Sequence, residues 1–178
     1  MTPARRRFWL AAAVGAAATA AGYGFYQWRG AARDEGNPAA VNALLAARLP
    51  DLKGERQALE GWRGRVLVVN FWATWCAPCR EEIPEFVRMQ ERYGARGLQF
   101  VGIAIDQPDK VGDFAREFGI NYPVLLGGLD TVALMREAGN RMGVLPFTLV
   151  LDRQGNVAMR HPGEIKEAQL EAIILPLL

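Results

Sequence analysis

Two cysteines and one histidine are the only thiol or imidazole metal ligands in this 178-residue chain. A structural zinc site takes four ligands, so Cys76, Cys79 and His161 would need a carboxylate or water to close one. No third thiol competes for pairing. Net charge is equally scarce at +2, and it is unevenly spread: the first 33 residues hold five Arg and no acid, leaving sixteen basic and nineteen acidic residues, about −3, for the body. No basic stripe remains to track phosphates, which argues against nucleic acid as a partner. There is no internal repeat, and no low-complexity tract beyond an Ala-rich start. What is present is 51% hydrophobic and 22% charged, the composition of one packed domain with a short extra piece.

Charge is also missing from Phe8 to Trp28, 21 residues between Arg5-Arg6-Arg7 and Arg29. A helix of that length reaches roughly 30 Å, the thickness of a bilayer core. Aromatics stand at both ends, as interfacial belts do, and the Arg triplet orients the N-terminus to the cytoplasm and the body outside. Two readings stay open: an uncleaved anchor, or an export signal cut at small residues near Ala20. The Arg triplet before Phe8-Trp9 also loosely resembles a twin-arginine signal, without its preceding Ser or Thr and its following Lys. The expected organisation is an anchor segment at 1–29, a linker at 30–49 with a short helix around Asn42 to Arg48, and one domain at 50–178.

Within that domain, "LPDLKGERQALEGWRGR" predicts a small hairpin about Gly54. "RVLVVNFW" is an unbroken apolar run, as in a strand buried on both faces. A helix follows from Cys76 to Tyr93, with Ile83, Phe86, Val87 and Gln90 at helical spacing and Gly94 at its end. Next come a buried strand in "GLQFVGIAID", a helix with Val111, Phe114 and Phe118 on one face, an extended "NYPVLLGG", and a helix with Asp130 as expected N-cap. "FTLVLDRQGNVAMRH" reads as a hairpin, and "GEIKEAQLEAIILPLL" as a last helix with Ile165, Leu170, Ile173 and Ile174 at helical intervals. Strands alternating with helices, then a hairpin and helix, predict an α/β domain with a mixed sheet.

The cysteines stand in "FWATWCAPCREEIP", open to three readings. A metal clip lacks ligands, and a staple closing so small a loop removes little unfolded-state entropy. The redox reading accounts for the spacing. A strand ending at "FWATW" and turning into a helix places Cys76 at the helix N-terminus, where unpaired N–H groups and the macrodipole favour a thiolate. Pro78 fits the first turn, having no N–H to lose there. One turn brings Cys79 within reach of Cys76, so Cys76 can attack a disulfide and Cys79 can resolve the mixed disulfide.

"VVNFWATWCAPCREEIPEF", with "GVLPFTLVLDRQG" further on, resembles the thioredoxin superfamily, and within it the TlpA/ResA-like (CcmG/DsbE-like) group of membrane-anchored or exported thiol-disulfide oxidoreductases. The likeness runs from about Pro50 to the C-terminus and implies a thioredoxin-like fold. It implies a cis Pro146 facing the dithiol, Leu145 pairing its backbone with substrate, and Trp75, Ala77 and Pro78 forming the surface around Cys76. Where thioredoxin has a buried acid, this chain has Asn70, and the group assigns proton handling to the position of Glu82. Placed at i+3 on the helix, Glu82 shares a side with Cys79. Pro84 is expected to kink the helix, and Arg80 and Glu81 to lie at the surface.

The resemblance implies no cofactor beyond a redox-active Cys76–Cys79 disulfide, and no metal. Its implied partners are a disulfide-containing client, such as apocytochrome c before haem attachment or a copper-site protein, and an inner-membrane thiol reductant of the CcdA/DsbD kind. Its implied location is the inner membrane, the domain facing the periplasm. Two alternatives are a DsbA-like oxidant, which carries a large helical insertion and commonly a His between its cysteines, and a copper metallochaperone. The Sco-like copper proteins add a distant histidine, for which His161 is the candidate, but separate their cysteines by three residues. His161 otherwise reads as a loop residue. A peroxiredoxin would need a Pro- and Thr-bearing cysteine loop of another pattern.

Overall fold

Asn37 and Pro38 form a helix start: the Asn37 side chain accepts from the Ala39 N–H at 3.0 Å, and proline fills the first position. They open the computed structural model, which describes residues 37–178. The first helix, α1 (Pro38–Ala46), therefore begins four residues ahead of the expected one and ends before Arg48, which pairs with Ala58. These residues fall in the stretch read as linker, yet Val41, Leu44 and Leu45 are buried against Leu59, Val69 and Phe71. Strands β1 (Arg48–Pro50) and β2 (Arg56–Ala58) form the antiparallel hairpin about Gly54, whose φ of +84° suits a residue without a side chain. The carboxylate of Asp51 closes the turn, accepting from the Lys53 and Glu55 N–H groups at 2.8 and 2.9 Å.

The seven residues of β3 (Val66–Trp72) are all buried, as an unbroken β-branched run predicts. It leads into α2 (Ala77–Tyr93), and then β4 (Leu98–Ala104), buried throughout like β3. Next come α3 (Pro108–Glu117), β5 (Val124–Leu126) and α4 (Leu129–Glu137). Helix α4 begins two residues earlier than expected: Gly128 is its N-cap, and Asp130 lies in the first turn, accepting from the Thr131 N–H at 2.8 Å. The hairpin β6 (Phe147–Leu151) and β7 (Val157–Pro162) precedes α5 (Glu167–Ile174).

The other five strands form one sheet in the order β5-β4-β3-β6-β7, with β4 parallel to β3, β5 parallel to β4, β6 antiparallel to β3 and β7 antiparallel to β6. Alternation along β3 then separates two cores. Leu67, Val69 and Phe71 face Leu44, Leu45, Met135 and Ala138 from α1 and α4. Val66 and Val68 face Phe86 and Met89 of α2 and Leu170 and Ile174 of α5. On that second face the last two inward positions are Asn70 and Trp72, so the apolar core gives way to polarity where β3 runs out. Among the described residues no helix is long and apolar enough to cross a membrane. The expected span, Phe8 to Trp28, lies outside the described residues.

Candidate active site

Everything chemical in the chain collects at the C-terminal end of β3. Cys76 is the N-cap of α2, with extended backbone, and its carbonyl accepts from Arg80 N–H at 3.2 Å. Pro78 sits in the first turn of that helix. Cys76 and Cys79 are joined in a disulfide, their Cα atoms 5.3 Å apart. The sulfur pair is unequally placed: Cys79 is fully buried and Cys76 reaches the surface at 6% exposure. Trp75 stands 70% exposed beside it, and Ala77 is exposed as well. Trp72, Ile83 and Phe114 pack around the disulfide from below, joined by Leu145.

The sheet register brings in the loop before β6. Phe71 faces Phe147, so Leu145 and Pro146 fall at the level where β3 ends and the cysteine turn begins. The Leu145–Pro146 peptide bond is cis, the isomer implied by the resemblance. Pro146 is buried and Leu145 half-buried.

Glu82 lies one turn beyond Cys79 and is fully buried. Its Oε1 accepts from Asn70 Nδ2 at 2.7 Å and its Oε2 from the Ile165 N–H at 3.2 Å. Asn70 also donates to Thr148 Oγ1 at 3.1 Å, across the β3–β6 pair. Burial is the main reason that Glu82 is pushed up from the ordinary 4.5 to about 8; the two hydrogen bonds pull it down, and nearby Glu164 and Glu85 push it further up. Tyr122, buried beside it, is pushed well above its ordinary range by desolvation and then by the Glu82 charge. Residue 102 has to be glycine here, because a Cβ would lie 2.8 Å from Trp72 Nε1 and 3.5 Å from Tyr122. That omission leaves room for both rings beside β4.

Arg80 and Glu81 face outward as expected, though Arg80 lays its guanidinium over Phe114 and Phe118, 5.0 and 4.8 Å from the ring centroids. Pro84 lies inside α2, without an N–H to offer the preceding turn. The partners of Glu82 outside its helix were not legible in sequence. Ile165, which donates to Glu82, and Thr148, which accepts from its partner Asn70, come from chain segments 83 and 66 residues away, and no local periodicity marks a backbone N–H as a ligand. Among the described residues no group of three or more His, Cys, Asp and Glu side chains stands close enough to hold a metal ion.

Comparison with known proteins gives the site a lineage. The AhpC/TSA family matches residues 42–160. The chain is 32% identical over 124 residues to a thiol-disulfide oxidoreductase ResA of Geobacillus kaustophilus, covering 69% of each. A ResA of Halalkalibacterium halodurans is 28% identical over 174 residues, 94% of this chain and 93% of that one. Among solved structures, a thiol:disulfide interchange protein of the thioredoxin family from Chlorobium tepidum superposes with a TM-score of 0.64 at 30% identity, over 74% of this chain and 97% of that one.

Proposed function

Because the chain belongs to the AhpC/TSA family and is a thioredoxin-like thiol-disulfide oxidoreductase of the ResA/DsbE type, we propose that it reduces specific protein disulfides outside the cytoplasm. The observation that supports this most is the joining of a surface-reaching Cys76 to a buried Cys79 with the carboxyl of Glu82 enclosed one turn below.

In the reduced protein the Cys76 thiolate attacks one sulfur of the client disulfide, and the other client sulfur leaves as a thiolate that takes up a proton. Cys79 gives its proton to the carboxylate of Glu82 and attacks the Cys76 sulfur. The Cys76–Cys79 disulfide forms, the second client thiol departs and is protonated in turn, and two electrons have passed to the client. A carboxyl pushed up to about 8 is a stronger base than an ordinary carboxylate once ionised, which suits it to taking a thiol proton. Trp75, Ala77 and Pro78 form the surface that the client meets, and the backbone of Leu145 before Pro146 pairs with the client chain.

The uncharged span from Phe8 to Trp28 supports a single-pass anchor with the domain in the periplasm. That compartment is oxidising, so the dithiol must be restored by an inner-membrane thiol carrier of the CcdA/DsbD kind. Apocytochrome c thiols or the cysteines of a copper site are the clients that fit this setting.

Equilibration with glutathione tests the direction of flow. A reductant is expected to have a Cys76–Cys79 potential below about −180 mV, and a value near −120 mV, where strong oxidants sit, overturns the reading. Cys79→Ser in the source cell is expected to leave a client disulfide-linked to Cys76. If nothing is captured while the wild type still reduces model disulfides, there is no dedicated client.

A further inference from the structure

His161 stands on β7 opposite Thr148, which in turn stands opposite Asn70, so the three share one row of the sheet on the face that α2 covers. Asn70 and Thr148 belong to the hydrogen-bonded group around Glu82. His161 reaches the same carboxyl by a different path. Its Nε2 lies 3.0 Å from the carbonyl oxygen of Glu164. A carbonyl has no hydrogen to give, so Nε2 is the donor. The peptide unit that begins with this carbonyl ends with the N–H of Ile165, which donates to Glu82 Oε2 at 3.2 Å. One peptide plane is thus held at its oxygen by His161 and at its hydrogen by Glu82.

That plane belongs to neither a strand nor a helix. It lies in the connection from β7 to α5, where Gly163 has a φ of +91° and donates to the carbonyl of Pro146 at 2.8 Å. The loop is pinned at Gly163, and the next fixed points are the side chain of Ile165 in the core and the N–H of Glu167 on the Glu85 carboxylate at 2.5 Å. Between them the 164–165 peptide is held by hydrogen bonds at both ends, its oxygen by His161 and its N–H by Glu82. Donation to its carbonyl also polarises the unit, making the Ile165 N–H a stronger donor.

We propose that His161 is a positioning residue for Glu82: through the Glu164–Ile165 peptide it aims the N–H that stabilises the Glu82 carboxylate, and so sets the pH at which that carboxyl exchanges its proton. The inference rests on the reading of Glu82 as the group that handles the Cys79 proton. The other charged or titratable groups facing this carboxyl are Glu85 on α2, Glu164 in the loop and Tyr122 before β5. Lys166 pairs with Glu164 and lies 3.8 Å from Glu81, so its charge is spent at the surface.

The test titrates the Glu82 carboxyl in the full chain by infrared difference spectroscopy, with the band assigned by its loss in Glu82→Gln. His161→Ala is expected to raise the midpoint by about one pH unit, the worth of one weakened hydrogen bond to a charged group. In the same variant, exchange of the Ile165 amide hydrogen should quicken about tenfold, the same loss read as an equilibrium. His161→Gln, whose amide nitrogen takes the place of Nε2, should restore most of both shifts; His161→Asn, too short to reach the carbonyl, should not. A folded His161→Ala or His161→Asn protein with an unchanged midpoint overturns the proposal, as does an unprotected Ile165 amide in the wild type. The pH profile of disulfide exchange separates this from its premise. If the infrared midpoint moves and the rate profile stays still, His161 positions Glu82 and the proton-handling reading of Glu82 fails.

Discussion

At the scale of single residues, the polarity around Glu82 has a cost that depends on pH. A carboxyl raised from 4.5 to about 8 in the folded state is neutral in both states below the lower value, so stability is full there. As pH climbs, the unfolded chain releases this proton first, and stability is lost until the folded protein also ionises near 8. The loss above that point is on the order of 5 kcal/mol. Glu82→Gln removes the titration. Denaturant unfolding of the oxidised protein should show wild-type stability falling relative to Glu82→Gln between about pH 5 and 8, and parallel curves would mean that the carboxyl is not buried. Asn70 is the residue that makes this arrangement tolerable. Its amide gives Glu82 a hydrogen bond that binds the charged form, and replacement by Leu should move the pH midpoint of exchange upward by about one unit, read from the rate profile.

Among the elements, α1 has the least obvious purpose. Its residues read in sequence as Ala-rich tether, but Leu44 and Leu45 close the face of the sheet opposite the disulfide, together with Met135 and Ala138 of α4. Asn37 N–H donates to the carbonyl of Glu137 at 2.8 Å, tying the start of α1 to the end of α4. Leu44 is fully buried, and Leu44→Ala is expected to cost about 2–5 kcal/mol, measured by urea unfolding, with exchange activity unchanged in the protein that remains folded. A loss under about 0.5 kcal/mol, the range of surface substitutions, would mean that α1 is a tether after all. The helix α2 behaves as its sequence indicates, because capping, proline placement and apolar spacing are properties of the local chain. Asp130 differs for an equally local reason: helical dihedrals extend to Leu129, and the carboxylate serves the first turn from inside it.

For the whole molecule, the separation of charge along the chain bears on where the domain works. Five Arg lie in the first 33 residues, and the body is net acidic. A chain starting at Asn37 is expected to fold, reduce model disulfides at the wild-type rate and appear in the soluble fraction, whereas the full chain should sediment with membranes. A full chain found soluble at its full mass would overturn the anchor, and a soluble chain shortened near Ala20 would favour a removed signal. Oxidised and reduced forms should differ little in backbone, because the sheet and α2 hold Cys79 in place without the bond.

The two cysteines of the candidate site were legible because their placement depends on local order. A buried strand that turns into a capped helix puts Cys76 outward and Cys79 inward, and this follows from three residues of spacing. The order of β3, α2 and β4 followed similarly from apolar runs and helix signals. The tertiary structure alone decided what surrounds Glu82. Whether that carboxyl is solvated or enclosed depends on Asn70, Thr148 and the Ile165 N–H, which meet only once β3, β6 and the loop before α5 have assembled. Burial and hydrogen bonding set a proton's free energy, and both belong to the packed chain. The sequence named the carboxyl, and the fold determined its environment and the direction of its shift.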